Sequence, residues 1–217
     1  MFTVLGGNGF IGSRVVDLLR DRGESVQAIG RPELSRLTSH LGYVIDCIGM
    51  TADFRTRPLD TMAAHVSVIE PLLREHTFDA FVFTSSTRVY AGSSSGDEAQ
   101  ALHVQPNDPD HLYNISKLAG ESMVLHCGKA NGRVARISNV IGEGGHPGDF
   151  VQSLVAESPQ GTIELRTDPD SAKDYIVVED VASLLVAIAT QGREPIYNVA
   201  SGFQLTHRQV VEALGCA

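Results

Sequence analysis

The sequence predicts an α/β fold built on a doubly wound parallel sheet, and three observations carry that reading. Short apolar runs alternate with longer segments of helical period, the pattern of successive strand–helix–strand units. A glycine-rich stretch joins the first apolar run to the first amphipathic segment between Leu5 and Gly12. The 217 residues are 42% hydrophobic and 20% charged, an ordinary globular composition with chain enough for one domain and a small appendage.

Phe2–Leu5 reads as the first strand, and Gly12–Arg22 as a helix whose buried stripe is Ile11, Val15, Leu18 and Leu19. Gly23 ends that helix and Ser25–Ile29 is the second strand. Only Gly30 to Gly42 separates it from the next apolar run, Tyr43–Ile48. That leaves room for one short helix, Glu33–His40, so a strand–helix unit of the full doubly wound half is expected to be missing or reduced. The pattern then predicts a helix over Leu59–His76, a strand over Ala80–Thr84, a helix over His111–Gly128 and a strand over Arg133–Ile137. Val151–Glu157 and Val178–Thr190 are helical, Tyr197–Val199 is a short strand, and Thr206–Leu214 closes the chain. Gly92–Asp110 and Gly142–Gly148 carry the Gly, Ser, Pro and Asp content of loops.

Composition excludes several classes. The net charge is −9, from 17 basic and 26 acidic residues, and no basic stripe is present to displace counterions from a nucleic acid. Cys47, Cys127 and Cys216 are far apart and form no C-x-x-C pair. His103, His111, His126 and His146 make no ligand-like constellation, so no metal is expected. The opening residues lack a basic n-region, and the longest apolar stretch, Val181 to Ala189, is far short of a membrane span. A cytoplasmic protein is expected.

Gly6, Gly9 and Gly12 have the spacing G-x-x-G-x-x-G, with Phe10 and Ile11 at the start of the following helix. Glycines there let the backbone turn tightly and approach a pyrophosphate, and the helix N-terminus offers free N–H groups to its oxygens. The flanking strand and helix are what such a Rossmann loop requires. The second strand ends at Gly30-Arg31, where an NAD site usually has a carboxylate for the ribose hydroxyls. The guanidinium of Arg31 suits a 2′-phosphate, so NADP is expected in preference to NAD.

Tyr113 and Lys117 stand four residues apart on one helix face. A lysine ammonium one turn away stabilises a phenolate, which lets the tyrosine exchange a hydroxyl proton while hydride passes to or from a nicotinamide. Ser86 lies at the carboxyl end of the Ala80–Thr84 strand, where open α/β sheets bind their ligands.

These motifs, in this order, resemble the extended short-chain dehydrogenase/reductase family of nucleotide-sugar epimerases, dehydratases and reductases. Arg136-Ile137-Ser138-Asn139-Val140-Ile141-Gly142 resembles the family's R-x-x-N-V-x-G stretch, and Lys173–Val181 its R-D-[FY]-I-x-V-x-D-[VL] segment. Val44–Gly49 and Tyr197–Ala200 match two more of its strands. The resemblance implies Ser86, Tyr113 and Lys117 as the active-site group, with Tyr113 and Lys117 also touching the cofactor. It implies Thr87, Asn139 and Lys173 at a nucleotide-sugar substrate, and a homodimer formed through the helices at Leu59–His76 and His111–Gly128. It divides the chain into a dinucleotide-binding Rossmann domain, 1–138, and a reduced substrate lobe, 139–217, whose later elements return to the core. Lys173 replaces a substrate-phosphate arginine and His65 a helix asparagine. Dehydratases of the family have an Asp-Glu pair where this chain has Thr87-Arg88, which disfavours dehydration. A reductase is the first expectation and an epimerase with tightly held NAD the second. A regulatory module that binds the dinucleotide without chemistry is the alternative of another class. Arg55 and Arg57 could offer cations to an anionic substrate.

Overall fold

In chain order the elements are β1 (Phe2–Leu5), α1 (Phe10–Asp21), β2 (Val26–Ile29), β3 (Tyr43–Asp46), α2 (Pro58–Met62), α3 (Ile69–Glu75), β4 (Ala80–Ser86) and α4 (Leu112–His126). They continue with β5 (Gly132–Ile137), β6 (Asn139–Ile141), α5 (Phe150–Glu157), β7 (Ala172–Val177), α6 (Val178–Gln191), β8 (Ile196–Val199), β9 (Gln204–Thr206) and α7 (His207–Ala213). The computed structural model describes residues 1–217 except 31–32, 35–36, 51–52, 130, 162, 216–217 and the side chain of Gln160.

Six strands form one parallel sheet in the order β2-β1-β3-β4-β5-β8. Both of its faces are covered, which is why its central strands are apolar at successive rather than alternate positions. Val4, Ile45, Val82 and Ala135 pack against α1 and α6. Leu5, Val44, Phe81 and Phe83 turn the other way and pack with residues of α3 and α4. The fold is the Rossmann type that the sequence predicts.

Among the described residues no strand lies between Ile29 and Tyr43, so β2 is an edge and β3 pairs directly with β1. The helix expected over Glu33–His40 is not formed over that span: Glu33 and Leu34 make a single helical turn, and Leu37–His40 is not helical. Tertiary pairing overrides local propensity there. His40 bridges Thr77, Thr77 N–H donates to the Ser39 carbonyl at 2.9 Å, and Leu41 N–H donates to the Thr77 carbonyl at 2.9 Å. Part of the expected helix, and Arg31, fall outside the described residues.

The run expected as one helix over Leu59–His76 contains a π-helical segment, Ala63–Ser67, between α2 and α3. Its wide turn is closed by Val68 N–H donating to the Ala63 carbonyl at 3.0 Å. Three short strands, unmarked in the sequence reading, form a second sheet in the order β6-β7-β9. A separate small core of Leu154, Ile163, Tyr175, Val210 and Val211 lies beside it.

Candidate active site

The β1–α1 turn has the shape a pyrophosphate needs. Gly6 adopts φ +69°, and a Cβ built on Gly12 would sit 2.2 Å from the Gly6 carbonyl oxygen. Only glycine lets α1 pack this closely on its own loop. Gly9 caps α1 without a side-chain hydrogen bond, and no acidic residue lies in the first turn, where Phe10 and Ile11 sit half-buried. The N–H groups and positive end of the helix therefore face the loop uncompensated, and they fit a dinucleotide. Replacing Gly12 with alanine should cost about 1–3 kcal/mol of overpacking, read as a loss of about tenfold or more in cofactor affinity by fluorescence titration. An unchanged Kd would remove this loop from cofactor binding. At the end of β2, Glu33 folds back and its carboxylate accepts the Gly30 N–H at 2.9 Å. The sequence reading missed this carboxylate, because it lies three residues beyond the position where the pattern expects one.

Ser86 ends β4 and caps a short 3-10 turn, Thr87–Tyr90, with its hydroxyl accepting from Arg88 N–H at 3.2 Å. Tyr113 and Lys117 project from the first turns of α4, and both are buried. Burial pushes the Tyr113 phenol above its ordinary pKa, opposed by the hydrogen bond with Ser86 and by the Arg88 guanidinium. The Tyr113 ring is wedged between Phe54, 5.7 Å away, and the edge of His65, 5.4 Å away. Lys117 Nζ lies 5.9 Å from the Tyr113 ring centroid and donates to the Thr84 carbonyl at 2.9 Å. Desolvation lowers the Lys117 pKa to about 8 and raises that of Asp46, at the end of β3, to about 7.

His65 rests on the π turn and clamps this group from behind. Met50 N–H donates to its Nε2 at 3.1 Å, so Nδ1 carries the proton and donates to Ser116 Oγ at 2.8 Å. Ser116 in turn donates to the Tyr113 carbonyl at 2.8 Å. Burial, and then the Lys117 charge, lower the His65 pKa to about 3, which keeps the ring neutral. Deeper in the molecule, Arg136 on β5 forms a bidentate pair with Glu121 on α4, at 3.1 and 2.7 Å, and Ser85 donates to the same carboxylate. Arg136 also donates to Tyr90 at 2.8 Å, and Tyr90 to Asn198 on β8 at 2.9 Å. This network fixes the ends of β4, β5 and β8 against α4.

Thr87 is half-buried next to Ser86. Asn139 and Lys173 lie apart on the small sheet: Asn139 donates to the Asp174 carbonyl at 2.9 Å, and Lys173 Nζ is 6.0 Å from the Phe150 ring. Among the described residues no hydrogen bond or ring contact joins either to Ser86, Tyr113 or Lys117. Arg88, to which the sequence reading gave no role beyond lacking a carboxylate, stands 4.9 Å from the Phe54 ring and 5.8 Å from the Tyr113 ring. Arg55 and Arg57 are held by Asp110 and Asp60.

A glycine loop shaped to admit a phosphate at the head of a parallel sheet, with a serine, a buried tyrosine and a lysine at the carboxyl end of β4, is an arrangement suited to a nicotinamide-dependent enzyme. The chain belongs to the NAD dependent epimerase/dehydratase family, whose model matches residues 2–200. Membership makes it an NAD(P)-dependent enzyme rather than the non-catalytic module a glycine loop alone would allow. It is 27% identical to a dTDP-6-deoxy-L-talose 4-dehydrogenase (NAD(P)(+)) of Kitasatospora kifunensis, over 97% of this chain and 77% of that one. It is 28% identical to a dTDP-4-dehydro-6-deoxyglucose reductase of Escherichia coli, over 72% and 51% of the two chains. Among solved structures, an NAD dependent NDP-hexosamine 5,6-dehydratase involved in tunicamycin biosynthesis superposes with a TM-score of 0.85 at 22% identity, over 98% of this chain and 79% of that one. RMD from Pseudomonas aeruginosa complexed with NADPH gives 0.80 at 24% identity, over 100% and 86%. Among the described residues no helix is long and apolar enough to cross a membrane.

Proposed function

We propose that the chain reduces a keto group of a nucleotide-sugar, with Ser86, Tyr113 and Lys117 as the catalytic group. The observation that carries the reading is the burial of the Tyr113 phenol beside Ser86 and Lys117 at the carboxyl end of β4, where it can pass a proton to a substrate oxygen. One curated relative named above is a reductase of a dTDP-linked deoxysugar, which favours reduction; the other is named for the reverse, dehydrogenation, on the same class of compound.

In this mechanism the Ser86 hydroxyl hydrogen-bonds the substrate oxygen, and Tyr113 passes its proton to that oxygen as it becomes a hydroxyl. A bound nicotinamide dinucleotide supplies the hydride. Lys117 holds the nicotinamide ribose and steadies the phenolate left behind. Gly6, Gly9, Phe10, Ile11 and Gly12 cradle the pyrophosphate. Within residues 139–217, β6, β7, β9, α5 and α7 act as the substrate lobe while α6 and β8 return to the Rossmann core, and Thr87, Asn139 and Lys173 contribute to the sugar-nucleotide site. Two copies pair across the groove of about 700 Å³ between α3 and α4, which Leu73, Ala119 and Met123 line.

NADPH is the proposed cosubstrate, on the strength of Arg31; Glu33, at the same strand end, is the residue that would instead receive NAD ribose hydroxyls. The test is to denature the purified protein, assay the supernatant for NAD(H) and NADP(H), and titrate the native protein with NADPH and NADH. A protein empty as isolated that binds NADPH more tightly fits the reductase. Stoichiometric retained NAD would replace it with an epimerase and move ribose recognition to Glu33.

A further inference from the structure

Asp46 is a charge in the wrong kind of place. It interrupts the apolar run Tyr43-Val44-Ile45-Asp46-Cys47-Ile48, it is fully buried, and in the sheet it pairs with Leu5 on one side and Phe83 on the other. One carboxylate oxygen accepts the Ile48 N–H at 3.0 Å, while the other has no hydrogen-bond partner among the described residues. A buried carboxylate half-satisfied by one backbone bond is costly, and an apolar residue would serve the sheet better.

Lys117 accounts for it. Its ammonium lies 5.1 Å from the ring of Phe83, the β4 partner of Asp46. The chain leaving β3 runs directly against the same ammonium, since a Cβ built on Gly49 would stand 3.6 Å from Lys117 Nζ and 3.6 Å from His65 Nε2. Thr84 takes one of the ammonium hydrogens. Among the described residues no ion pair or hydrogen bond joins Asp46 to Lys117, so the carboxylate acts on the ammonium through the buried field between them and not by contact. Leu5 and Phe83 are apolar, His65 is neutral, and Cys47 is pushed above the ordinary thiol range. Glu121, the remaining carboxylate on α4, is engaged by Arg136.

We propose that Asp46 is a positioning residue for Lys117: its buried, half-satisfied carboxylate at the end of β3 is the internal counter-charge for the ammonium that stands one helical turn from Tyr113. This rests on the reading of Tyr113 and Lys117 given above. The sign follows from charge. Asp46 raises the Lys117 pKa against desolvation, so removing the carboxylate should make the lysine lose its proton at lower pH.

The experiment needs neither substrate nor cofactor. Protein labelled on its lysine side chains carries signals from Lys117, Lys129 and Lys173 only, and Lys117→Met assigns the first by NMR. In the unsubstituted protein Lys117 should titrate near 8, and in Asp46→Asn about one pH unit lower or more. Thermal unfolding gives a second readout. The folded-state pKa of Asp46 is raised from 3.8 to about 7, so its contribution to stability is present below that window and lost as pH rises through about 7. Asp46→Asn and Asp46→Leu should abolish that loss and be more stable than the parent at pH 9. An unchanged Lys117 titration in folded Asp46→Asn would overturn the proposal. So would a failure of both variants to fold between pH 5 and 9, which would make the carboxylate a structural requirement. A shifted titration in a protein that turns over no nucleotide-sugar would instead leave the coupling standing and sink only the nucleotide-sugar reductase reading.

Discussion

Tyr113→Phe should lower the rate of hydride transfer to substrate by about 10²- to 10⁴-fold while leaving the Kd for the dinucleotide within about threefold of the parent value. The substitution removes one oxygen from a ring whose packing is otherwise complete. Phe54 and His65 hold the ring at 5.7 and 5.4 Å, and neither contact uses the hydroxyl. The fold and the cofactor loop should therefore survive, and the lost quantity is the proton that the phenol delivers. In the proposed mechanism the ammonium serves both ribose and phenolate, so Lys117→Met should be as damaging through a different constant: the Kd for cofactor rises as well. The double variant should be little worse than either single one, since the two residues act as a unit. Pre-steady-state measurement of nicotinamide absorbance separates these outcomes. A Tyr113→Phe protein that transferred hydride at the parent rate would put the proton donor elsewhere and leave the tyrosine as a packing residue.

The elements that the sequence made legible are those whose signal is local. The β1 strand, the glycine turn and α1 announce themselves through apolar period and glycine spacing, and each was expected within two residues of where it lies. Tyr113 and Lys117 were legible because four residues make one turn of helix, whatever surrounds it. What stayed hidden depends on partners distant in the chain. Residues 37–40 abandon helix because Thr77, remote in sequence, offers them a ladder. The π turn that aims His65 at Ser116 has no sequence signature of its own, and its consequence, a neutral ring pinned by Met50, needs the fold to be seen. The strands of the small sheet are three to six residues long, and in that span an alternating pattern cannot be told from loop. Asp46 was visible as a letter in an apolar run, but its full burial and its unpartnered oxygen needed the fold to be seen.

The network behind the site gives the largest expected effect on stability. Glu121→Ala should lower the unfolding free energy by about 3–5 kcal/mol, because it leaves the Arg136 guanidinium buried without its carboxylate. The pair is almost wholly excluded from solvent, with side-chain exposures of 4% and 5%, so water cannot replace the lost partner without opening the core. Ser85 loses its acceptor in the same step, at the residue next to Ser86. For a chain of this length each kcal/mol corresponds to roughly 2–4 °C, which predicts a fall of about 6–20 °C in Tm. Glu121→Leu combined with Arg136→Met should recover most of the loss, since two apolar side chains of similar volume need no partners. If the double variant recovers stability yet turns over slowly, with kcat reduced and KM unchanged, the pair exists to aim the end of β4. Should Glu121→Ala cost less than about 1 kcal/mol in urea unfolding, the pair would be of the solvated kind, worth little to the fold. The rigidity of the Ser86 position would then have to come from its pairing with Ile137 on β5, its cap on Arg88 and the Thr84–Lys117 bond.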